Sequence, residues 1–328
     1  MSSFMAPFTI TNSIVSLVAE IAQLVGQISS VSGLDKNPTL RRKNRIRTIY
    51  SSLAIEQNTL SIEQVTAVLE GKRIIAPPKD IEEVKNAFEI YDILDTLNPY
   101  SVDDLLKAHS VMMRGLTYES GEFRTKPVGV IDSVSGEVIH VGTLPNYVPK
   151  LIEELVQWAG TTDVHPLIKS CVFHYEFEII HPFSDGNGRI GRLWHTLMLS
   201  KWNPVMAWLP VESIVHGKQD EYYKAFNYCN SKIDSTAFIE FMLESIKEAL
   251  IEAASAEDVG INVGINVGIN LSDRIIEEIK SDPKTSARKI SEKLNASPRQ
   301  IERLLSELKK NGIIQHIGSN KSGEWKVL

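Results

Sequence analysis

The chain has 328 residues, which is long enough for two domains, the larger with a full hydrophobic core. Hydrophobic residues make up 43% and charged residues 23%, a composition typical of globular proteins that excludes a disordered or fibrous chain. The net charge of −6 is uneven: residues 272–328 hold 12 Lys or Arg and 8 Asp or Glu (+4), whereas the rest hold 23 and 33 (−10). A basic tail on an acidic body hints at a nucleic-acid partner.

Cysteine usage and the N-terminal stretch bear on the compartment. The two cysteines, Cys171 and Cys229, are too few for a disulfide framework and lack metal-ligand spacing, so a reducing compartment fits. The first thirty residues lack a basic start and are interrupted by Glu20, so they make a poor signal peptide and cannot span a membrane. We expect a soluble, cytoplasmic protein that does not associate with membranes.

The N-terminal third is predicted to be helical. Apolar residues at helical spacing, with caps or proline breaks between them, predict helices over residues 10–28, 40–55, 61–69, 80–97 and 101–114. Glu56 follows the second of these helices, and in isolation it would be an ordinary surface carboxylate near a helix end.

Two β-branched runs, residues 128–131 and 138–141, predict a hairpin in this otherwise helical chain. An isolated hairpin is only marginally stable, so it should pack on the helices or on a partner. The alternative to a hairpin that contacts a partner or a ligand is a purely structural hairpin. Helices are then predicted over residues 146–158 and 166–178.

Residues 180–192, reading Ile-His-Pro-Phe-Ser-Asp-Gly-Asn-Gly-Arg-Ile-Gly-Arg, concentrate the residue types that phosphoryl chemistry uses. His181 is a base that titrates near neutral pH, and Pro182 after it predicts an extended backbone there. Asp185 is a hard oxygen ligand suited to Mg²⁺. The run 186–188 precedes a helix predicted over 190–199, so it would lie at an anion-binding helix N-terminus.

Two arginines complete this stretch. Arg189 and Arg192 are three apart on one helix face, as forks for phosphate oxygens. The alternative is a glycine-rich turn before a core helix with solvated arginines. It is disfavoured because base, metal ligand, glycine run and arginines all fall within twelve residues.

After this motif, residues 221–230 and 238–254 predict two further helices, the first carrying Tyr222, Tyr223 and Asn230. Residues 259–270 repeat Val-Gly-Ile-Asn three times, too few copies for a solenoid. We interpret the repeat as a linker, with edge-strand pairing or homodimerisation as the alternative.

The C-terminal segment predicts helices over residues 271–281, 286–294 and 297–310, then a hairpin from 313–317 and 324–327. Three helices and a hairpin resemble a winged helix-turn-helix. Arg299, Gln300 and Arg303 on its third helix suit DNA phosphates and base edges. A protein-interaction module or a vestigial domain is the alternative.

Residues 181–192 resemble the signature of the Fic family, His-x-Phe-x-(Asp/Glu)-Gly-Asn-Gly-Arg-x-x-Arg, at every defined position. Proteins with this motif typically transfer AMP from ATP to a hydroxyl side chain of another protein. The resemblance implies a mainly α Fic fold with a β-hairpin flap, followed by the small winged-helix domain. The expected divisions are 1–110 (helical region with an inhibitory helix), 111–255 (catalytic core with flap), 256–271 (linker) and 272–328 (winged helix-turn-helix).

The resemblance also implies roles for individual residues. His181 would be the general base, and Asp185 would hold Mg²⁺. Phe183 would anchor the loop. The nucleotide would be bound by Gly186, Asn187, Gly188, Arg189 and Arg192, by the flap residues Ile139, His140, Val141 and Gly142, and by Tyr222, Tyr223 and Asn230 around the adenosine.

Residues 52–58 resemble the family's inhibitory motif (Ser/Thr)-x-x-x-Glu-(Gly/Asn), with Ser52 and Glu56 in place but Gln57 where Gly or Asn is usual. In the family this glutamate pairs with the second motif arginine, here Arg192, and displaces the ATP γ-phosphate.

Three functions therefore compete. The first is protein adenylylation restrained by Glu56, with ATP and Mg²⁺ as substrate and cofactor and a target protein as partner. The second is removal of AMP or transfer of another phosphate-linked group. The third is a DNA-binding regulator whose Fic domain serves as a sensor.

Overall fold

The chain divides into two units, Met1–Ile261 and Asn262–Leu328. The computed structural model describes residues 4, 6–31, 38–131, 138–257, 275–276, 278–280, 282–294, 301, 304–306, 308–309, 313–317 and 324–327. The repeat at 259–270 and the residues Arg299, Gln300 and Arg303 lie outside the described residues.

The first unit is helical, as the fold-class prediction required. Its described helices are α1 (Asn12–Val31), α2 (Pro38–Ile55), α3 (Ile62–Leu69), α4 (Pro78–Asp92), α5 (Val102–Met112), α6 (Val148–Thr161), α7 (Pro166–Ile180), α8 (Asn187–Trp202), α9 (Val211–Gly217), α10 (Gln219–Lys232) and α11 (Thr236–Glu257). Short 3-10 turns occupy Leu94–Thr96, Pro145–Tyr147 and Pro204–Trp208. The sequence analysis did not predict the seven-residue helix α9, which is too short to show a helical period.

Helix α7 lies at the centre of this unit, between two apolar clusters. Cys171 and Tyr175 pack with α1 and α11 in one cluster, whereas Phe173 and Phe177 pack with α2, α4, α5 and α6 in the other. A helix that is apolar all round is stable only when it is buried on every side. Its C-terminal end, and the N-terminal end of α8 beside it, are thereby fixed in place.

The predicted hairpin is present as β1 (Gly129–Ile131) and β2 (Val138–Val141), which pair antiparallel with an irregularity between Val130 and Ile131. Residues 132–137 lie outside the described residues, and residues 130–131 and 138–141 are described by their backbone alone.

Helix α2 ends in a turn that determines the position of Glu56. The Gln57 amide donates to the Ala54 carbonyl and the Asn58 amide donates to the Leu53 carbonyl, the two closing bonds of a Schellman motif. In this motif the penultimate residue is left-handed, and Gln57 has a φ of 66°. Glycine or asparagine is usual in that conformation because other side chains are strained there. The turn thus gives a physical reason for Gly or Asn at this position.

The second unit has its own small core. Helix α12 (Ala287–Leu294) and the antiparallel pair β3 (Ile314–Ile317) and β4 (Glu324–Val327) are described. The buried apolar residues described in this unit are Ile275, Ile279, Ile290, Ile301, Leu305, Leu308 and Ile314. The Trp325 amide also donates to the Pro283 carbonyl, which ties the hairpin to the helical part of this unit.

Replacing Gln57 by glycine should stabilise the chain. Glycine removes left-handed strain of about 1–2 kcal/mol and loses about 0.5–1 kcal/mol of chain entropy, so the free energy of unfolding should rise by about 0.5–1 kcal/mol. Chemical denaturation measures the change. Gln157→Gly, at an exposed position inside α6, is the matched control and should destabilise by about 1 kcal/mol. A loss of stability in both variants would contradict the left-handed turn.

Candidate active site

The loop 181–186 joins α7 to α8 and carries the predicted base. His181 caps α7 through its amide, which donates to the Phe177 carbonyl, and its φ and ψ are 51° and 63°. The expectation that Pro182 would hold His181 in an extended conformation was therefore wrong. The helix closes on His181 itself, and Arg124 holds the carbonyl oxygens on both sides of that turn, so tertiary contacts override the local preference.

Arg124 fixes the loop from the flap side. Its Nε donates to the His181 carbonyl at 2.6 Å, its Nη1 donates to the Lys126 carbonyl, and its Nη2 donates to the Ile180 and Thr143 carbonyls. Its own amide donates to the Pro182 carbonyl. One buried guanidinium therefore connects the loop 181–186 to the segment that follows β2. In the sequence, Arg124 is marked out by nothing more specific than its position just before the predicted hairpin.

Helix α8 begins at Asn187, three residues before the predicted start, with Gly186 as its N-cap at a φ of 84°. Gly188 and Arg189 therefore belong to its first turn, where backbone amides have no intrahelical acceptor. The Asn187 side chain closes the loop instead: its Oδ1 accepts from the Phe183 amide and its Nδ2 donates to the Phe183 carbonyl. Phe183 is fully buried, as expected of an anchor.

His109 supports the same loop from α5. Its ring stacks on Phe183, with centroids 3.6 Å apart, and its Nε2 lies 3.0 Å from the Asp185 carbonyl. Its Nδ1 accepts from the Gly121 amide at 2.8 Å, so the proton is on Nε2, which donates to Asp185. Burial lowers the pKa of this imidazole to about 4.

Arg192 is paired with the segment that carries the inhibitory signature. Its Nη2 donates to Glu56 Oε1 at 2.8 Å and to the Ser52 carbonyl, and its Nε donates to Ser52 Oγ. The side chain is 3% exposed, against 30% for Glu56. Burial alone would lower the pKa of this guanidinium, but the Glu56 carboxylate holds it above its ordinary value. The predicted Glu56–Arg192 contact is therefore present in the geometry.

Arg189 is held by a second pair of carboxylates. Its Nη1 donates to Glu83 Oε1 on α4 at 3.0 Å, and its Nη2 donates to Asp185 Oδ1 at 2.9 Å. The side chain is 3% exposed, and its Nε has no hydrogen-bond partner among the described residues. Both motif arginines thus occupy buried positions with their charges matched by the protein itself.

Gly188 lies against the Glu56–Arg192 pair. A Cβ at this position would meet Glu56 Oε1 at 2.3 Å and Arg192 Nη1 at 2.9 Å. Only a residue without a side chain leaves room for an oxygen atom between the helix backbone and the guanidinium. At present a carboxylate oxygen takes that room.

The His181 side chain faces Glu178, which the sequence analysis did not single out. Glu178 Oε2 lies 3.9 Å from His181 Nδ1, and Glu178 Oε1 lies 3.9 Å from His174 Nε2. Burial raises the pKa of the Glu178 carboxyl to about 8, so its neutral form prevails at pH 7.

The residues predicted to surround adenosine lie on α10. Tyr222 is buried, with its hydroxyl 3.3 Å from His174 Nε2, and it packs in the core, whereas Tyr223 is exposed. Asn230 is half-buried farther along the helix. Gln219, at the start of α10, donates to the Ile55 carbonyl and so connects this helix to the Glu56 turn.

Of the flap residues, only Gly142 can be described with its surroundings. Its amide donates to the Val128 carbonyl, and a Cβ there would meet Arg124 Nη2 at 3.0 Å. The side chains of Ile139, His140 and Val141 lie outside what the structure describes.

The described residues contain no group of three or more His, Cys, Asp or Glu side chains arranged to hold a metal ion. Asp185 is 47% exposed and has a single carboxylate to offer. That donor set fits Mg²⁺, which commonly binds through one or two carboxylates plus substrate phosphates and keeps several waters. None of the described helices has the length and apolar character needed to cross a bilayer.

Comparisons with known proteins agree with this geometry. The family model described as "Fic/DOC family" matches residues 99–199, and the model "Winged helix-turn-helix DNA-binding" matches residues 271–315. Protein adenylyltransferase fic-1 of Caenorhabditis elegans is 33% identical over 215 residues, which are 60% of this chain and 39% of that protein. Protein adenylyltransferase Fic of Nematostella vectensis is 29% identical over 206 residues, covering 59% and 45%. The chain spans less than half the length of these curated relatives.

Solved structures extend the likeness over the whole chain. A Fic domain containing signaling protein from Bacteroides thetaiotaomicron has a TM-score of 0.63 at 20% identity, covers 77% of this chain and all of its own, and supports the fold alone. A Fic family protein from Desulfovibrio desulfuricans G20 has a TM-score of 0.75 at 38% identity, with 99% of this chain and 98% of that chain covered. Because that identity extends along nearly the full length of both chains, this chain belongs to the Fic family.

Proposed function

We propose that the chain transfers AMP from ATP to a hydroxyl side chain of a target protein and that Glu56 restrains this activity. The observation that supports it most is the 2.8 Å contact between Glu56 Oε1 and Nη2 of Arg192, the second arginine of the 181–192 motif. Relatives matched over 60% of the chain carry the name protein adenylyltransferase.

His181 acts as general base in this scheme. In its neutral form the imidazole has one unprotonated ring nitrogen, and this nitrogen accepts the proton. The acceptor hydroxyl loses its proton to His181 as its oxygen attacks the α-phosphorus of ATP. The bond from that phosphorus to the bridging oxygen breaks, and pyrophosphate leaves with its electron pair.

The phosphates are bound by fixed groups of the chain. The amides in the first turn of α8, from Asn187 to Arg189, provide donors at the positive end of a helix dipole. Arg189 and Arg192 provide charge-assisted donors for the β- and γ-phosphates. Mg²⁺, held by Asp185 and the phosphates, would neutralise part of the charge on the departing pyrophosphate.

Glu56 restrains the reaction by occupying a donor that a phosphate needs. Its Oε1 and a γ-phosphate oxygen would both accept from Arg192, and the room beside Gly188 holds one oxygen atom at a time. The carboxylate is attached to the protein, so its effective concentration is high and ATP competes at a disadvantage.

Glu56→Gly should raise labelling with radioactive ATP about 10- to 100-fold, the effect of one charge-assisted hydrogen bond on the competition for Arg192. Glu56→Gln, which keeps the hydrogen bond without the charge, should give an intermediate rate. The free energy of unfolding should fall by about 1–3 kcal/mol in Glu56→Gly, since Arg192 stays buried without its carboxylate. Self-labelling and target labelling are measured at matched Mg²⁺. Labelling by Glu56→Gly equal to that of the unaltered chain would reduce Glu56 to a surface acid. Arg192→Ala removes the phosphate contact together with the restraint and should not activate.

His181→Ala should lower transfer about 10²–10⁴-fold while ATP affinity stays within about twofold, because the base acts on the hydroxyl and not on the nucleotide. The control is His216→Ala, which replaces a half-buried histidine on α9. His181→Ala and His216→Ala are both made in the Glu56→Gly chain. Parallel reactions with each labelled nucleotide identify the transferred group. Near-normal labelling by His181→Ala would refute the assigned base.

A second activity, DNA binding by the second unit, is supported by the winged helix-turn-helix match at residues 271–315 and by the charge of +4 on residues 272–328. We expect the full chain to retard duplex DNA, with an affinity that falls steeply as salt rises. Replacing Arg299 and Arg303 together by alanine should weaken binding about tenfold or more. Removing two charges from the first unit instead, Lys150→Ala with Lys232→Ala, is the control. Unchanged retardation by the Arg299/Arg303 variant would point to non-specific attraction.

A further inference from the structure

Glu83 is a buried carboxylate that no motif of the sequence includes. It lies on α4, and its side chain is 6% exposed. Oε1 accepts from Arg189 Nη1 at 3.0 Å, and Oε2 accepts from the Asn58 amide group at 2.8 Å. The other cation near it, Lys79 on the same helix, lies 3.9 Å away with an exposed side chain. A buried anion with this pattern has its interaction energy concentrated on Arg189.

Asn58 belongs to the turn that positions Glu56. Its amide donates to the Leu53 carbonyl in the closing bond of that turn, and its Oδ1 accepts from the Leu60 amide. Its Nδ2 donates both to Glu83 and to the Asp80 carbonyl. The turn formed by residues 56–58 therefore contacts Arg192 directly, through Glu56. It contacts Arg189 indirectly, because Asn58 binds Glu83 and Glu83 binds Arg189.

Arg189 has two carboxylate partners that differ in exposure. Asp185 is 47% exposed and is the residue suited to Mg²⁺, whereas Glu83 is buried. When a cation takes Asp185, Glu83 is the remaining anion that keeps the guanidinium in place, and Nη2 becomes available to a phosphate. Without Glu83, the guanidinium would be drawn to Asp185, and the phosphate donor and the metal ligand would neutralise each other.

We propose that Glu83 is a positioning residue for Arg189 and that Asn58 connects it to the inhibitory turn, so that one turn sets the position of both motif arginines. The inference rests on the nucleotide site of the proposed function. It adds a residue pair outside the motif that determines affinity for ATP.

The test measures ATP affinity directly, by calorimetry with Mg²⁺, in the full chain carrying Glu56→Gly. Glu83→Gln keeps the side-chain volume and one acceptor but removes the charge. It should raise the Kd for ATP about tenfold, the effect of one charge-assisted hydrogen bond. In transfer assays KM for ATP should rise in parallel while kcat stays within about twofold, because the base is untouched.

Asn58 provides a second variant for the same test. Asn58→Ala alone should raise the Kd about threefold, less than Glu83→Gln, because Asn58 acts on Arg189 only through Glu83. In the Glu83→Gln chain, the Asn58→Ala change should have no further effect on Kd, because Asn58 acts on Arg189 through Glu83. Additive effects of the two changes would refute the connection through Asn58.

Glu89→Gln is the matched control. Glu89 is on the same helix and pairs with Arg114 at the surface, so Kd and KM should not change. A Glu83→Gln chain that melts at a lower temperature but binds ATP as its parent does would give Glu83 a purely structural role and overturn the inference. If the Glu56→Gly parent itself bound no ATP, the proposed function would fail together with this inference; binding by the parent with an unchanged Kd in Glu83→Gln would remove the inference alone.

Discussion

The candidate site depends on one constraint: the two arginines of its motif are buried, and a buried guanidinium must have anions or carbonyl oxygens around it. Arg192 obtains them from the C-terminal end of α2, and Arg189 obtains them from α4 and from the motif loop. Helices α2 and α4 therefore do two things for α8: they cover its apolar face, and they provide acceptors for its two buried arginines. The Schellman turn at the end of α2 places the Glu56 carboxylate on Arg192 and the Asn58 amide group on Glu83.

In the proposed function, Arg192 is paired either with Glu56 or with a phosphate, and its burial makes these two states mutually exclusive. Under the proposed function, a buried guanidinium exchanges partners without moving to solvent, so a carboxylate would leave Arg192 before a phosphate binds it. Glu56 is suited to leave because it is 30% exposed and is carried by a helix end, whereas Glu83 is buried within a helix. The two carboxylates on the motif arginines therefore differ in exposure, which is the difference that the proposed exchange of Glu56 requires.

Local pattern predicted the parts of the site that are close in the chain. Residues 181–192 form one loop and the first six residues of α8, so their spacing in the sequence keeps His181, Asp185 and both arginines in one short segment. Ser52 and Glu56 were found only through a family resemblance. Glu83, Arg124 and His109 were missed because their partners are 106, 57 and 76 residues away, and no periodicity connects such positions. The backbone of His181 was predicted wrongly for the same reason: the contacts that fix it come from Arg124. The mainly α fold with a hairpin flap was predicted correctly, because strongly periodic helices make up most of the chain.

His109 gives the loop a property that its residue type would not suggest. An imidazole in water gains a proton between pH 7 and 6. The Nδ1 of His109, however, accepts a hydrogen bond from the Gly121 amide, and its ring stacks on Phe183. With a pKa of about 4 it stays neutral in the folded chain, while the unfolded chain takes up a proton below about pH 6.5. Acidification therefore lowers the free energy of unfolding from about pH 6.5 down to about pH 4, yet over that interval the ring goes on holding the Asp185 carbonyl. In a mildly acidic compartment the folded chain should therefore lose some stability while the contact between His109 and the Asp185 carbonyl persists.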